Sequence, residues 1–307
     1  MAPLLLLLLL CSGRRRGCGG VVGRLAAMLT FVVAAVVDKR AAMALMYDDV
    51  EVVWGADHSF FYMDDGGGDT LAICLDETHG SGFRSRDAYL YARFDIDIML
   101  VANNSAGTVT TLYLMPEDVP WEIHDEVDLE FLGNVTGEPY TLHTNIFVDG
   151  KGQREQQFRL WFDPTADFHT YSIIWNPKHI IMLVDGVPIR DFKNEARRGA
   201  AFPTWQKMRA HGSLWNADDW ATQGGRVKTD WSAAPFYAYY RGLRATPCAP
   251  SPGVAWCGDE PPESPRFDLP PTDAAALRKA REEHLLYDYC ADTTRFKDTG
   301  LPLECTS

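Results

Sequence analysis

The sequence predicts an all-β chain, an antiparallel β-sandwich or jelly roll, and three observations point to it. From about residue 50 to 245 the chain consists of short β-type runs, turn signals recur between them, and long segments of helical period are missing. Turns roughly ten residues apart suit two packed antiparallel sheets. The runs include Ala88–Phe94, Gly107–Leu114, Thr170–Trp175 and Ile180–Val184. Asp185-Gly186 follows the last of these, and that dipeptide favours the two-residue hairpin turn. Eight of the 18 prolines lie between Arg244 and Pro271, which makes that stretch an irregular connector. Beyond it, Thr272-Asp273 opens an expected short helix running to about Tyr287, with Leu277, Ala280, His284 and Leu285 on one face.

The first 44 residues differ from the rest. A Leu run from Pro3 to Cys11 precedes Arg14-Arg15-Arg16, and a second apolar run spans Leu25–Val37. Neither reaches the roughly 20 apolar residues of a spanning helix. A basic stretch, an apolar run and the small-residue triplet Ala42-Met43-Ala44 read as a secretory signal over residues 1–44, with a membrane anchor as the competing reading. Secretion sets how the cysteines are read. Cys11 and Cys18 leave with the signal, and Cys248, Cys257, Cys290 and Cys305 remain in a disulfide-permissive compartment. Short loops favour Cys248–Cys257 and Cys290–Cys305, although four cysteines allow three pairings. Their spacings do not suit zinc. Cys74, in an apolar run, is expected as a buried free thiol.

Over all 307 residues, 46% hydrophobic content is ample for a packed core and excludes a disordered chain. A formal charge of −13 argues against nucleic acid and against anionic membranes, and leaves a neutral ligand as the better fit.

One segment carries chemistry: His124-Asp-Glu-Val-Asp-Leu-Glu-Phe-Leu-Gly133. Its Glu126, Asp128 and Glu130 alternate with Val127, Leu129 and Phe131, so on a strand all three acids share one face. Large apolar residues between them require the other face to be buried, which places the acids in a cleft rather than on a solvated edge. The Cα atoms of the two glutamates lie ~13 Å apart, and inward-leaning side chains bring the carboxyls to roughly 5–6 Å, the separation of a retaining glycosidase. Crowding favours keeping one proton on the set at neutral pH, as a general acid requires. Metal binding is the rival use of clustered acids, but a linear strand spreads its donors; neither metal nor cofactor is expected.

This strand resembles the active-site motif of the xyloglucan endotransglucosylase/hydrolase family of glycoside hydrolase family 16. The likeness runs from about Trp54 to Cys305 and includes Gly80-Ser-Gly-Phe83, Leu160-Trp-Phe-Asp-Pro164, Leu214–Thr222 and Tyr287-Asp-Tyr-Cys290. It implies a curved jelly roll over residues 45–245 and a disulfide-stapled C-terminal extension over 246–307. By the same resemblance Glu126 is the nucleophile, Glu130 the acid/base and Asp128 the residue that orients Glu126. Substrate contacts carry over to His143, Thr144, Asn145, Gln153, Arg154, Glu155, Trp220, Ala221, Gly225 and Arg295, alongside Glu130. Gln157 and Gln223 depart from the arginine common in the family. The sequon Asn134-Val-Thr136 follows the motif where the family often carries a glycan, and Asn103-Asn-Ser105 is a second sequon.

The resemblance thus implies a secreted enzyme of the plant cell wall and apoplast, monomeric, that cuts the xyloglucan backbone and religates it to a xyloglucan acceptor. A hydrolase using the same residues is the alternative, and a noncatalytic wall lectin the second. Neither nucleic acid nor membrane is an expected partner once the signal is removed.

Overall fold

The computed structural model describes residues 45–63, 68–248, 268–269 and 271–306. The expected signal segment and Cys257 lie outside the described residues. In chain order the strands are β1 (Val50–Trp54), β2 (Ser59–Met63), β3 (Asp69–Leu75), β4 (Ser81–Ser85), β5 (Ala92–Met99), β6 (Thr108–Pro116), β7 (Glu126–Leu132) and β8 (Thr141–Phe147). They continue with β9 (Gln156–Arg159), β10 (His169–Trp175), β11 (His179–Val184), β12 (Val187–Lys193), β13 (Met208–Asn216), β14 (Phe236–Pro247) and β15 (Leu285–Asp288).

The strands form the expected two antiparallel sheets. One has eight strands in the order β1-β4-β13-β6-β7-β8-β9-β15, and the other seven in the order β12-β11-β10-β5-β14-β3-β2. The core lies between them. Val127, Leu129 and Phe131 of β7 are fully buried there, and the Phe131 ring meets Tyr171 of β10 edge to face at 4.6 Å. The buried Tyr240 hydroxyl on β14 donates to the Thr111 carbonyl of β6 (2.9 Å), a second tie between the sheets. At the β11–β12 hairpin both Asp185 (φ 49°) and Gly186 (φ 76°) take the left-handed conformation that a type I′ turn needs.

Two elements differ from expectation. Regular pairing of the run from Ala88 begins only at Ala92: Tyr91 is left-handed (φ 67°), and Tyr89 instead bridges Met208. The C-terminal helix, Pro271–His284, ends before Tyr287, because Leu285–Asp288 leaves it to pair with β9. An unpaired strand edge offers a row of free backbone groups, and β15 satisfies them. Arg281 locks the change of direction, donating to Gln156 Oε1 (3.0 Å) and to Asp288 Oδ2 (2.6 Å). Beyond it Cys290 and Cys305 form the expected disulfide, with Cα atoms 5.3 Å apart. Cys248 is also disulfide-bonded, and Cys74 is buried and free. Among the described residues no helix is long and apolar enough to cross a membrane.

Leu129 sits at the centre of the buried face of β7. Truncation of such a side chain removes transfer free energy and leaves a cavity. Leu129→Ala is therefore expected to lower unfolding stability by about 2–5 kcal/mol, measured by chemical denaturation; a loss below about 0.5 kcal/mol would contradict the packing described.

Candidate active site

With a side-chain period of two, burial of Val127, Leu129 and Phe131 turns Glu126, Asp128 and Glu130 to the opposite face of β7. The glutamates keep some exposure, while Asp128 between them is 5% exposed. Burial first, then the charges of Glu126 and Glu130 and a hydrogen bond to Glu126, push the Asp128 carboxyl well above the carboxylate range, with Arg190 opposing. Burial and the Glu126 charge push Glu130 up to about 7. Asp128 is thereby biased towards its protonated form, hydrogen-bonded to Glu126, and Glu130 is poised near neutral pH between its two forms. Such a set can attack an electrophilic carbon with one carboxylate and protonate a leaving group with another.

Cross-strand register supplies the neighbours. Asp128 lies between Tyr113 of β6 and Asn145 of β8. His211 of β13 stands beyond Tyr113 and stacks on its ring at 4.8 Å. Glu130 lies between Thr111 and His143. Gln157 donates from Nε2 to His143 Nδ1 (3.0 Å), so the His143 ring proton sits on Nε2, 3.9 Å from Glu130 Oε2. Burial lowers His143 to about 4 and keeps it neutral.

The other expected contacts divide into several groups. Thr144 is opposite Leu129 and faces the interior, where its hydroxyl donates to the Gln156 carbonyl (3.0 Å) and accepts from Arg190 Nη1 (2.7 Å). The same parity that aims His143 and Asn145 at the carboxylates turns Thr144 away from them. Asn145 Oδ1 accepts from the Arg154 backbone N–H (3.0 Å), bracing the β8–β9 loop. In that loop Gln153 is exposed and left-handed (φ 68°), and Arg154 donates from Nε to Glu304 (2.7 Å) near the C-terminus.

Glu155 and Arg295 hold each other, Nη1 to Oε2 at 2.6 Å and Nη2 to Oε1 at 3.2 Å. Burial pushes the Glu155 carboxyl up, but the hydrogen bonds from Arg295 and the backbone leave it below the ordinary value. Trp220 and Ala221 belong to a turn that the Thr222 hydroxyl anchors, donating to the Gly133 carbonyl just after β7 (2.7 Å). The Trp220 ring thereby stands edge-on to His143 at 5.9 Å. Gly225 closes the turn with φ 80°, where a Cβ would collide with the Asp219 carbonyl.

His124 and Trp121 join the site although neither is among the residues expected from the sequence. His124 Nε2 is 2.8 Å from Glu126 Oε2 and Nδ1 is 2.5 Å from the Trp121 carbonyl. A carbonyl only accepts, so Nδ1 carries a hydrogen and Nε2 is the ring atom turned to Glu126. Trp121, 66% exposed, stacks on the His124 ring at 4.1 Å and offers an apolar platform beside Glu126. The signal was available: His124 is two residues before Glu126 and shares its face. Of the two sequons, Asn134 follows β7 and its Nδ2 donates to the Pro139 carbonyl (3.1 Å). Asn103 is exposed and left-handed (φ 65°).

The family model described as glycosyl hydrolases family 16 matches residues 46–233, and the xyloglucan endo-transglycosylase C-terminus matches 255–305. Xyloglucan endotransglucosylase/hydrolase 2 of Glycine max is 51% identical over 262 residues, covering 84% of this chain and 88% of its own. Xyloglucan endotransglucosylase protein 1 of Diospyros kaki is 50% identical over 259 residues, covering 84% and 87%. Among solved structures, the apo Crh5 transglycosylase superposes with a TM-score of 0.54 at 24% identity, over 68% of this chain and 83% of its own. The Bacillus licheniformis β-glucanase gives 0.51 at 22% identity, over 64% and 92%. These two share the fold. Given such coverage and identity, the chain belongs to glycosyl hydrolases family 16, among the xyloglucan endotransglucosylase/hydrolases.

Proposed function

We propose that the chain is a retaining endo-transglucosylase of xyloglucan, secreted to the cell wall and apoplast and active as a monomer without a cofactor. One observation carries the chemistry: Glu130 holds a proton near neutral pH beside a Glu126 that Asp128 hydrogen-bonds. Glu126 attacks the anomeric carbon of a backbone glucosyl unit. As the new carbon–oxygen bond forms, the glycosidic bond breaks and its oxygen takes the Glu130 proton. Asp128 orients Glu126 and releases it in the second step. Glu130, now ionised, removes a proton from an incoming hydroxyl, whose oxygen takes the anomeric carbon and frees Glu126. A sugar hydroxyl gives a religated chain; water gives a cut one.

Transfer needs acceptor subsites that hold a sugar long enough to exclude water. β15 extends the carboxylate-bearing sheet beyond β9, and the Glu155–Arg295 pair ties its flank to the β8–β9 loop. That longer floor favours a xyloglucan oligosaccharide or polymer end as acceptor. His143, Asn145, Trp220 and the platform of Trp121 line the approach. Asn134 carries the glycan in this reading.

Incubation with xyloglucan and labelled xyloglucan oligosaccharide is expected to drive label into polymer; reducing ends that accumulate without incorporation would mark a hydrolase instead. Glu126→Ala is expected to lower both outcomes by about four orders of magnitude, and turnover at wild-type rates would overturn the assignment. The first step requires protonated Glu130, so kcat/KM should fall as pH rises through about 7. Stability carries the same sign. The folded Glu130 pKa is raised, so folding loses stability as pH rises from the unfolded value near ~4.3 towards about 7. Glu130→Gln should consequently raise the melting temperature at pH 8 and leave it little changed at pH 4; equal shifts at both would contradict the raised pKa.

A further inference from the structure

Two connectors between the sheets meet at a cluster that the proposed chemistry does not use. β1 of the eight-stranded sheet passes through Gly55 and the turn Ala56–His58 into β2 of the other. β3 returns through residues 76–80 to β4. The first connector brings Asp57 and His58, the second Asp76, Thr78 and His79. One donor atom each from Asp57, His58 and His79 lies within 4.8 Å of the others. Asp57 Oδ1 is 3.4 Å from His58 Nδ1 and 3.1 Å from His79 Nε2. Tetrahedral ligands at zinc distances stand roughly 3.4 Å apart, so the two separations from Asp57 match edges of a coordination tetrahedron, and the two imidazole donors stand within 4.8 Å of each other.

The surrounding hydrogen bonds decide which ring nitrogens carry lone pairs. Asp76 Oδ2 faces His58 Nε2 at 2.9 Å and holds the ring proton there. His58 Nδ1 is left with its lone pair, and that atom is buried without a hydrogen-bond partner. Thr78 Oγ1 spends its proton on Asp76 Oδ1 (2.5 Å) and so accepts from His79 Nδ1 (3.0 Å). His79 Nε2 then turns its own lone pair towards Asp57. Asp76 is fixed in turn by the Thr78 and His79 backbone N–H groups (2.8 and 3.3 Å). A carboxylate behind one ligating histidine and a hydroxyl behind the other is the outer-sphere arrangement that orients imidazole ligands. Without an ion, the neutral rings would turn two lone pairs towards a carboxylate, or a ring would have to take up a proton with the other ring's centroid 4.0 Å away.

We infer that Asp57 Oδ1, His58 Nδ1 and His79 Nε2 bind a divalent transition-metal ion of the zinc type, with water at the remaining position. Two imidazoles and one carboxylate suit that class rather than magnesium or calcium. The ion enters from solvent, since the Asp57 side chain is 73% exposed. The site is remote from the carboxylates: β1 is four strands from β7 in the sheet order, about 19 Å. A bound ion would clamp the two connectors and stabilise the sandwich edge, independently of the transglucosylase reading.

The test uses the untagged full chain, stripped with EDTA and titrated with zinc chloride by calorimetry at pH 7.5, with thermal melts alongside. The expected result is one ion per chain and a melting temperature that rises with zinc concentration. His79→Ala and Asp57→Asn, both at exposed positions, should weaken binding at least ~10-fold, and Thr78→Val about 10–100-fold, while His284→Ala and xyloglucan transfer stay unchanged. No saturable zinc binding by the wild-type fold, or undiminished binding by both His79→Ala and Asp57→Asn, would overturn the site.

Discussion

Three carboxyl groups on one face of one strand repel each other, and the chemistry of this protein depends on how that repulsion is resolved. The core holds Val127, Leu129 and Phe131 on the opposite face of β7, so the acids cannot rotate away. Nor can Asp128 reach water, being buried between its neighbours. The remaining outlet is protonation. Asp128 is pushed well above the ordinary carboxylate range and hydrogen-bonds Glu126, and Glu130 is drawn up to about 7. One constraint, fixed by hydrophobic burial, thus sets three similar side chains apart in the way the proposed reaction needs: a hydrogen-bond donor, a nucleophile and an acid.

Register extends this order across the sheet. Because antiparallel pairing sets residues directly opposite each other, the acids on β7 recruit Tyr113 and Thr111 from one neighbour and His143 and Asn145 from the other. A one-residue slip would set Ile146, Thr144 and Leu142 in place of Phe147, Asn145 and His143 opposite the acids. Thr144 and Arg190 help to prevent it from the interior: Arg190, buried on β12, reaches across to the Thr144 hydroxyl and to the Arg154 carbonyl (2.6 Å). A buried guanidinium left without these partners would be strongly destabilising.

Much of this was legible in the sequence wherever the deciding interactions are local. Alternation along residues 126–131 sufficed to orient the acids, and Asp185-Gly186 announced its turn because both residues accept positive φ. Long-range partners were not legible. Nothing near Leu285 shows that an unpaired edge of β9 waits for it, so a helical pattern was extended too far. The face of Thr144 follows from its pairing with Leu129, and the commitment of Arg154 to Glu304, 150 residues away, has no sequence period. His58 and His79 likewise meet only because two connectors between the sheets lie side by side. His124 was within reach of pattern reasoning, since its period-two relation to Glu126 is the one that aligned the acids.

In the proposed reaction, protons held by burial and mutual repulsion divide the labour among Glu126, Asp128 and Glu130. Carbon-13 NMR of the protein labelled at its Asp and Glu carboxyls, titrated across pH, observes those protons directly. A glutamate signal with its midpoint near 7, missing in Glu130→Gln, is expected. An aspartate signal displaced well above the ordinary carboxylate range, and missing in Asp128→Asn, is expected beside it. Ordinary midpoints near ~4 for every carboxyl on β7 would contradict that division of labour.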